Sequence, residues 1–397
     1  MKHSSILLCL VLCGLPGTAA VSAADSFPAF KEKVIDAKCG KVCYAVTVAD
    51  VNGDKKPDIV AVTENRVLWY ENPSWKKHVI IEDQTLRDNV CIAPLDIDGD
   101  GKIDFALGAG WTKTGSIQWI TRRKSPDKKW SVHMIGKERW LHRMRWADVL
   151  GTGKPQLVIS PLNATTGKGV RLTAFEIPSD PVKGRWRRHL LDGSLNRMHN
   201  HWHVDLNRDK QIDTVTASRE GVHLIRRTKD GFKKIRLGNG AKGKTPNASG
   251  AGEIKVGKLK SGQRFIATVE PMHGTMLAVY LESQTARDPW MRRVLTSDLI
   301  RGHALWLADL DGDGSDEIII GHSNTSGGAG KRRGIYVFDA QNPTGSKWKK
   351  HVIDEGGIAV EDLIVADFNG DGRPDIVAGG RYTHNVKLYL NAGPAKK

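Results

Sequence analysis

Aromatic residues make up only 7% of the 397-residue chain, and cysteine numbers five. No Gly-x-Ser-x-Gly and no His-Glu-x-x-His occurs, so neither a nucleophile elbow nor a helical zinc-protease motif is present. The glycine-rich stretch from Ser326 to Gly330 has no strand–glycine–helix setting and reads as loop, not as a phosphate cradle. After residue 24 no apolar run is long enough to span a bilayer. What is present is globular in composition: 40% hydrophobic and 26% charged residues, which excludes a largely disordered chain. Glycine is abundant at 42 and Trp recurs singly to a total of 12, which suits an all-β repeat protein better than a helix bundle.

Residues 1–24 read as an export signal: a weakly basic start, an apolar run from Ile6 to Leu15, and small residues from Ala19 to Ala24. Leu12 before Cys13 argues against a lipid-anchored start. The expected product is periplasmic or secreted, with residues 25–397 as one domain. Cys39, Cys43 and Cys91 then remain; an odd count leaves one thiol over, and Cys43–Cys91 or Cys39–Cys91 is an open choice of bridge.

Two patterns alternate along the chain. The first is an acidic loop with oxygen-bearing side chains at positions 1, 3, 5 and 9. Its copies are Asp50, Asn52, Asp54, Asp58; Asp96, Asp98, Asp100, Asp104; Asp205, Asn207, Asp209, Asp213; Asp309, Asp311, Asp313, Glu317; and Asp367, Asn369, Asp371, Asp375. Degenerate copies start at Asp148 and Gly257, giving seven starts that lie 46 to 58 residues apart. The second pattern is an aromatic, a basic stretch and two aliphatics, as in Trp75–Ile80 and Trp348–Ile353. Short β-branched runs lie between them, so each unit holds four strands, the size of a propeller blade. Seven units predict a seven-bladed β-propeller. The last unit stops after its third strand, and the spare copy at Phe30–Ile35 can close the ring and hide two sheet edges.

The acidic loops can each wrap a hard cation, with a backbone carbonyl near position 7 completing the oxygen set. Up to five structural Ca²⁺ are expected, and none at the Asp148 and Gly257 copies. The Asp-x-Asp-Gly-Asp-Gly-x-x-Asp loop between two short strands resembles the FG-GAP/VCBS repeat of integrin-type propellers. Within that group the chain resembles the propeller domain of fungal aldos-2-ulose dehydratase and its bacterial relatives, which carry their His-rich strand starts in the same way. That resemblance implies a carbon–oxygen lyase that removes water from a keto-sugar such as an anhydrofructose.

Six residues before each loop start stand Tyr44, Val90, His142, His199, Ala251, His303 and Glu361. Arg143, Asn200, Asp362, His201 and Glu253 follow, and second-strand ends on the same face add Arg219, His273, Arg381 and Tyr382. Equivalent blades would gather these side chains around one axis. The set differs from unit to unit and mixes both charges, as an asymmetric site requires and packing between blades does not. His142 or His199 is the expected base. Arg143, Arg219 and Arg381 would neutralise an enolate, with His273 beside them and Tyr382 protonating the leaving oxygen. His303, Glu361, Asp362, Glu253 and His201 would hold substrate or an additional divalent metal.

The net charge of +16 lies on outer strands and loops and favours a carbohydrate partner of acidic type, with no nucleic acid and a monomeric disc expected. A uronate-cleaving polysaccharide lyase uses the same elimination logic. The rival function is a calcium-stabilised propeller that binds glycan or protein without chemistry.

Overall fold

A computed structural model describes residues 27–122, 125–283, 289–323 and 333–394. The expected export segment and the glycine-rich stretch at 326–330 lie outside the described residues. Seven separate four-stranded antiparallel sheets follow one another along the chain as blades 1 to 7. Their innermost strands are Cys43–Ala49, Cys91–Leu95, Leu141–Ala147, Asn200–Val204, Ile254–Lys258, Gly302–Ala308 and Val360–Ala366. No helix among the described residues is long and apolar enough to cross a membrane.

The burial pattern explains the order of strands within a blade. Second strands such as Asp58–Thr63 and Glu317–His322 are buried at every residue, because neighbouring blades cover both faces, and they read as continuous β-branched runs. Outer strands alternate. Lys76–Glu82 exposes its lysines and buries only Ile80 and Ile81. The recurring outer-strand His packs rather than reacts: His78 stacks on Trp69 at 4.2 Å and His133 lies 5.0 Å from Trp119.

Blade 7 takes its outer strand from the N-terminal side. Pro28–Asp36 pairs with Val386–Pro394 in a register that sets Lys31 opposite Leu390 and Lys33 opposite Leu388. The closing strand thus supplies ladder partners for an otherwise open edge. Beneath it, Lys387 bridges Glu32 at 2.8 Å and Asp354 of blade 6 at 3.1 Å. Further latches join neighbours at the acidic loops. Asn72 Nδ2 donates to the Phe368 carbonyl (2.7 Å), Asn391 Nδ2 to Leu310 (2.8 Å) and Arg122 Nη1 to Val51 (2.8 Å). Each accepting carbonyl belongs to position 2 of the preceding blade's acidic loop.

The cysteines correct one expectation. All three are buried and free. Cys39 and Cys43 pack together where blade 7 meets blade 1, whereas Cys91 packs with Leu141 and Met144 where blade 2 meets blade 3. No bridge to Cys91 forms, because different blade junctions hold the sulfurs.

Candidate functional site

The acidic loops fold as the side-chain spacing dictates. In blade 1, Asp50 Oδ1 accepts from the N–H groups of Gly53 and Asp54, and Oδ2 from Lys55, so the first carboxylate organises the turn. Gly53 sits at φ +88°, a conformation that costs glycine little. The ninth-position acid is buried beneath: Asp58 takes the N–H of Val51 and of Asn72. Two loops bring three acids within 4.8 Å, Asp96 with Asp98 and Asp104, and Asp309 with Asp311 and Glu317.

The donor set fits a hard cation. Glu317 Oε1 is buried with no hydrogen-bond partner, and burial among Asp311, Asp339 and Asp309 pushes this carboxyl up to about 9. Burial likewise pushes Asp58 and Asp104 up to about 6. A divalent ion would relieve all three. The Asp148 copy shows the contrast: Gln156 Nε2 donates to Thr152 Oγ1 (2.9 Å), the Lys154 carbonyl and Asp148 Oδ1 (3.5 Å). An amide NH₂ thus stands among the oxygens that a cation would join. In blade 4, Arg226 grips Asp213 with two hydrogen bonds of 3.0 Å, so that loop carries its own counter-charge.

At the opposite end of the inner strands, side chains from separate blades converge on the axis. The ring of His199 (blade 4) is the centre. It lies 4.4 Å from His142 of blade 3, 4.6 Å from His273 of blade 5 and 5.0 Å from His303 of blade 6. His199 Nε2 is 2.7 Å from His273 Nε2, and its Nδ1 is 2.9 Å from Glu253 Oε1. Arg143 Nη2 meets the same Glu253 oxygen at 3.1 Å, and Asn200 Nδ2 donates to the other. Glu253, His199 and His273 thus lie in a file from the buried axis to the rim, with His199 Nδ1 at ion-pair distance from Glu253 but outside hydrogen-bond geometry. His199 is 0% and Glu253 3% exposed, while His273 is only partly covered.

The electrostatics of this chain follow from its depth. Burial raises the Glu253 carboxyl, but Arg143, His199 and Lys255 outweigh it and hold the group far below the usual carboxylate range. Burial pushes His142, His273 and His303 well below the ordinary imidazole range; Arg143 and the neighbouring rings add to this. His199 is lowered less, because burial is opposed by Glu253. All four rings are therefore neutral at pH 7. The unfolded chain binds more protons than the folded one below the free histidine pKa of about 6.5, so this cluster stabilises the fold above that pH and the contribution fades as pH falls through it. With calcium saturating, the melting temperature is expected to drop steadily from pH 7.5 to pH 5. A flat profile over that range would contradict neutral, buried rings.

A second group sits beside the first. Glu361 takes Arg381 at 2.7 Å on one oxygen and Arg301 at 3.2 Å on the other, while its backbone carbonyl lies 2.5 Å from His303 Nδ1. Arg381 lies over the rings of Tyr44 (5.2 Å) and Tyr382 (5.7 Å). Of the sequence-derived residues, His142, Arg143, His199, Glu253, His273, His303, Glu361, Arg381 and Tyr382 gather here. Asp362 lies deeper in the channel, where its Oδ2 accepts from the Val46 N–H at 3.1 Å.

Two residues do not gather. His201 points between blades, 2.9 Å from Ser160 Oγ, because it alternates with Asn200 and Trp202, which face the channel. Arg219 pairs with its neighbour Glu220 at the surface and touches none of the imidazoles. Of the expected set of His201, Glu253, His303, Glu361 and Asp362, His303 and Glu361 meet at 3.5 Å, while Glu253 and Glu361 also take arginines and His201 stands apart. The set that does assemble is His142, His199 and His303, with one nitrogen each within 4.8 Å of the others.

Sequence reasoning missed Arg301, Trp111 and Trp140. Trp111 meets His142 edge-on at 5.8 Å and packs against Trp140. A signal existed. Asp88, Trp140, Arg197 and Arg301 each stand eight residues before a loop start, all with positive φ, so the same repeat register marks the turn into four of the seven inner strands.

With this geometry in hand, the comparisons divide the ring. Residues 114–283 match the family described as aldos-2-ulose dehydratase, beta-propeller domain, and residues 50–107 and 309–378 match the FG-GAP-like repeat. The first segment carries His142, His199, Glu253 and His273; the second carries four of the five acid-complete loops. Aldos-2-ulose dehydratase of Phanerodontia chrysosporium is 23% identical over 286 residues, 66% of this chain. The aligned region spans 31% of that protein's length. Among solved structures, an Agrocybe aegerita lectin that recognises non-reducing terminal N-acetylglucosamine superposes with a TM-score of 0.53 at 16% identity, covering 84% of this chain and 88% of its own. BBS1N in complex with ARL6DN gives a TM-score of 0.57 at 11% identity, covering 94% and 99%. At these identities the solved structures speak to the fold alone.

Proposed function

We propose that this seven-bladed propeller, which carries FG-GAP-like repeats and resembles the propeller domain of aldos-2-ulose dehydratase, is an exported carbohydrate lyase. Its elimination site would be the imidazole mouth, and Ca²⁺ in the five acid-complete loops would hold the disc. The single observation that carries the reading is the Glu253–His199–His273 chain. With Glu253 2.9 Å away, His199 Nδ1 would carry the proton; His199 Nε2 would then accept from His273 Nε2–H, leaving His273 Nδ1 with a lone pair at the rim. A carbonyl acidifies the neighbouring C–H of a keto-sugar. His273 Nδ1 takes that proton, Arg301 and Arg381 offset charge on the enolate oxygen, and the C=C bond forms as the β-hydroxyl departs. The proton passes from His273 to the departing oxygen, so water and an unsaturated sugar leave with no net change at the protein. Trp111 and Trp140 offer indole surface to the sugar ring.

The reading is tested by incubating the purified protein with 1,5-anhydrofructose, other keto-sugars and uronate polymers while following ultraviolet absorbance. Growth of an enone or unsaturated-uronate band is expected for one class. Absence of absorbance change across the set would favour a propeller that binds sugar without chemistry.

A second reading rests on His142 Nδ1, buried without a hydrogen-bond partner, and on the three close imidazoles. A divalent transition metal held by His142, His199 and His303 would polarise the carbonyl instead. Activity that is lost to a zinc-selective chelator in excess calcium, and restored by metal, would favour this version over the relay.

A further inference from the structure

The inner strands have a second end, beside the acidic loops, and its chemistry is different. Three residues before the loop starts stand Thr47, Ala93, Arg145, Trp202, Ile254, Trp306 and Ile364. Trp202 and Trp306 meet edge to face at 5.5 Å, and Trp146 and His203 join them from the next position. Together with Pro94 and Ile364 they line a cup of about 330 Å³. All three indoles are partly exposed. Behind this cup the channel narrows to a void of about 70 Å³ lined by Arg143, Asn200 and Glu253, short of the imidazoles.

Arg145 lines the cup itself, and Lys255 lies just behind it, on the inner void. Lys255 Nζ sits 4.7 Å from the Trp202 ring and 5.2 Å from Trp306, and Arg145 lies 4.7 Å from Trp202. Lys255 is 3% exposed, and its one hydrogen bond is a long 3.4 Å contact to the Ile254 carbonyl. Arg145 spends its guanidinium on the His201 carbonyl and Asn200 Oδ1. Glu253 and Asp362 line the same inner void, but Glu253 is bound to Arg143 and Asn200, and Asp362 accepts from the Val46 N–H. Buried cations without a carboxylate at ion-pair distance favour an incoming anion. Burial and Arg145 push the Lys255 amine down to about 7, a cost that a bound carboxylate would remove.

We propose that the acidic-loop mouth of the channel is a separate carbohydrate-binding site for an acidic sugar. The sugar ring would lie against Trp146, Trp202 and Trp306, with its carboxylate directed to Lys255 and Arg145. The cup volume suits one or two pyranose rings, and the combination of indole surface with cations selects a uronate over a neutral hexose. This site does not depend on the elimination chemistry at the other mouth.

Titration with tri-galacturonate, followed by calorimetry and by saturation-transfer NMR, tests it on the full chain. Saturable binding is expected, weakened several-fold by raising salt from 50 to 300 mM, with maltotriose at least tenfold weaker. Trp306→Ala should lower affinity tenfold or more, and Trp306→Phe by less. Lys255→Met should erase the preference for tri-galacturonate over maltotriose. His273→Ala should bind as the parent does. Folding of each variant is read from its melting curve; Trp146→Ala, at the more open side, serves if Trp306→Ala does not fold. No binding at millimolar tri-galacturonate, equal affinity for maltotriose, or loss of binding in His273→Ala with retention in Trp306→Ala would each overturn the proposal.

Discussion

His273→Ala should lower turnover of the responsive sugar by about 10²–10⁴-fold, the usual reach of a general base, with little change in melting temperature. The ring lies at the rim, partly exposed, and its loss leaves the His199–Glu253 contact in place. His199→Ala is a different experiment. It removes the link between His273 and Glu253, leaves the carboxylate to Arg143 and Asn200, and acts through another residue, so it tests positioning. Its signature is in the pH profile: the acid limb of kcat/KM should move, because the proton on His273 is no longer stabilised from behind by Glu253. A uniform fall in rate with an unchanged pH profile would show that His199 only packs. Unchanged turnover in His273→Ala would end the relay reading and leave the three-histidine metal version.

Removing calcium should produce the largest change in stability. An ion bound at a hundredfold excess over its Kd contributes about 2.7 kcal/mol per site, and five sites about 13 kcal/mol. With an unfolding entropy of about 2.1 cal/mol/K per residue, a fold of roughly 370 residues would then melt about 17 °C lower in chelator. The blades should not respond equally. Blade 6 crowds Asp309, Asp311 and Glu317 and leaves Glu317 Oε1 without a partner, so it should hold its ion most strongly. Blade 4, where Arg226 already neutralises Asp213, should release its ion first. Glu317→Gln should raise the melting temperature in chelator and reduce the gain on adding calcium. Identical melting curves with and without calcium would overturn the assignment of Ca²⁺ to these loops.

The blade count and the closing strand were legible because both rest on repetition. Seven loop starts in register give the ring, and the unpaired copy at Phe30–Ile35 could only complete the last sheet, as its pairing with Val386–Pro394 shows. The convergence of His142, His199 and His303 was legible for the same reason. Individual roles were not. His201 follows His199 by two residues, yet it faces Ser160 of the neighbouring blade, because the strand's alternation starts only at Asn200, which with Trp202 takes the channel side. Glu361 reads as a metal ligand from its register alone, whereas the fold sets Arg301 and Arg381 as well as His303 about its oxygens. Such choices between a cation and an arginine depend on side-chain reach across blades, which a linear pattern does not encode. The tryptophans of the acidic-loop mouth escaped notice because the repeat was read at its strand starts, and Trp202 and Trp306 stand three residues later in the period.

Asn72, Asn391 and Arg122 each fasten one blade to the loop backbone of the blade before it. A loop that loses its ion therefore slackens the grip on its successor as well as its own sheet. Damage at one loop would spread in a preferred direction around the circle, toward higher blade numbers and across the join from blade 7 to blade 1. A disc fastened in this way would come apart sequentially, much as a clasped chain parts from its weakest link.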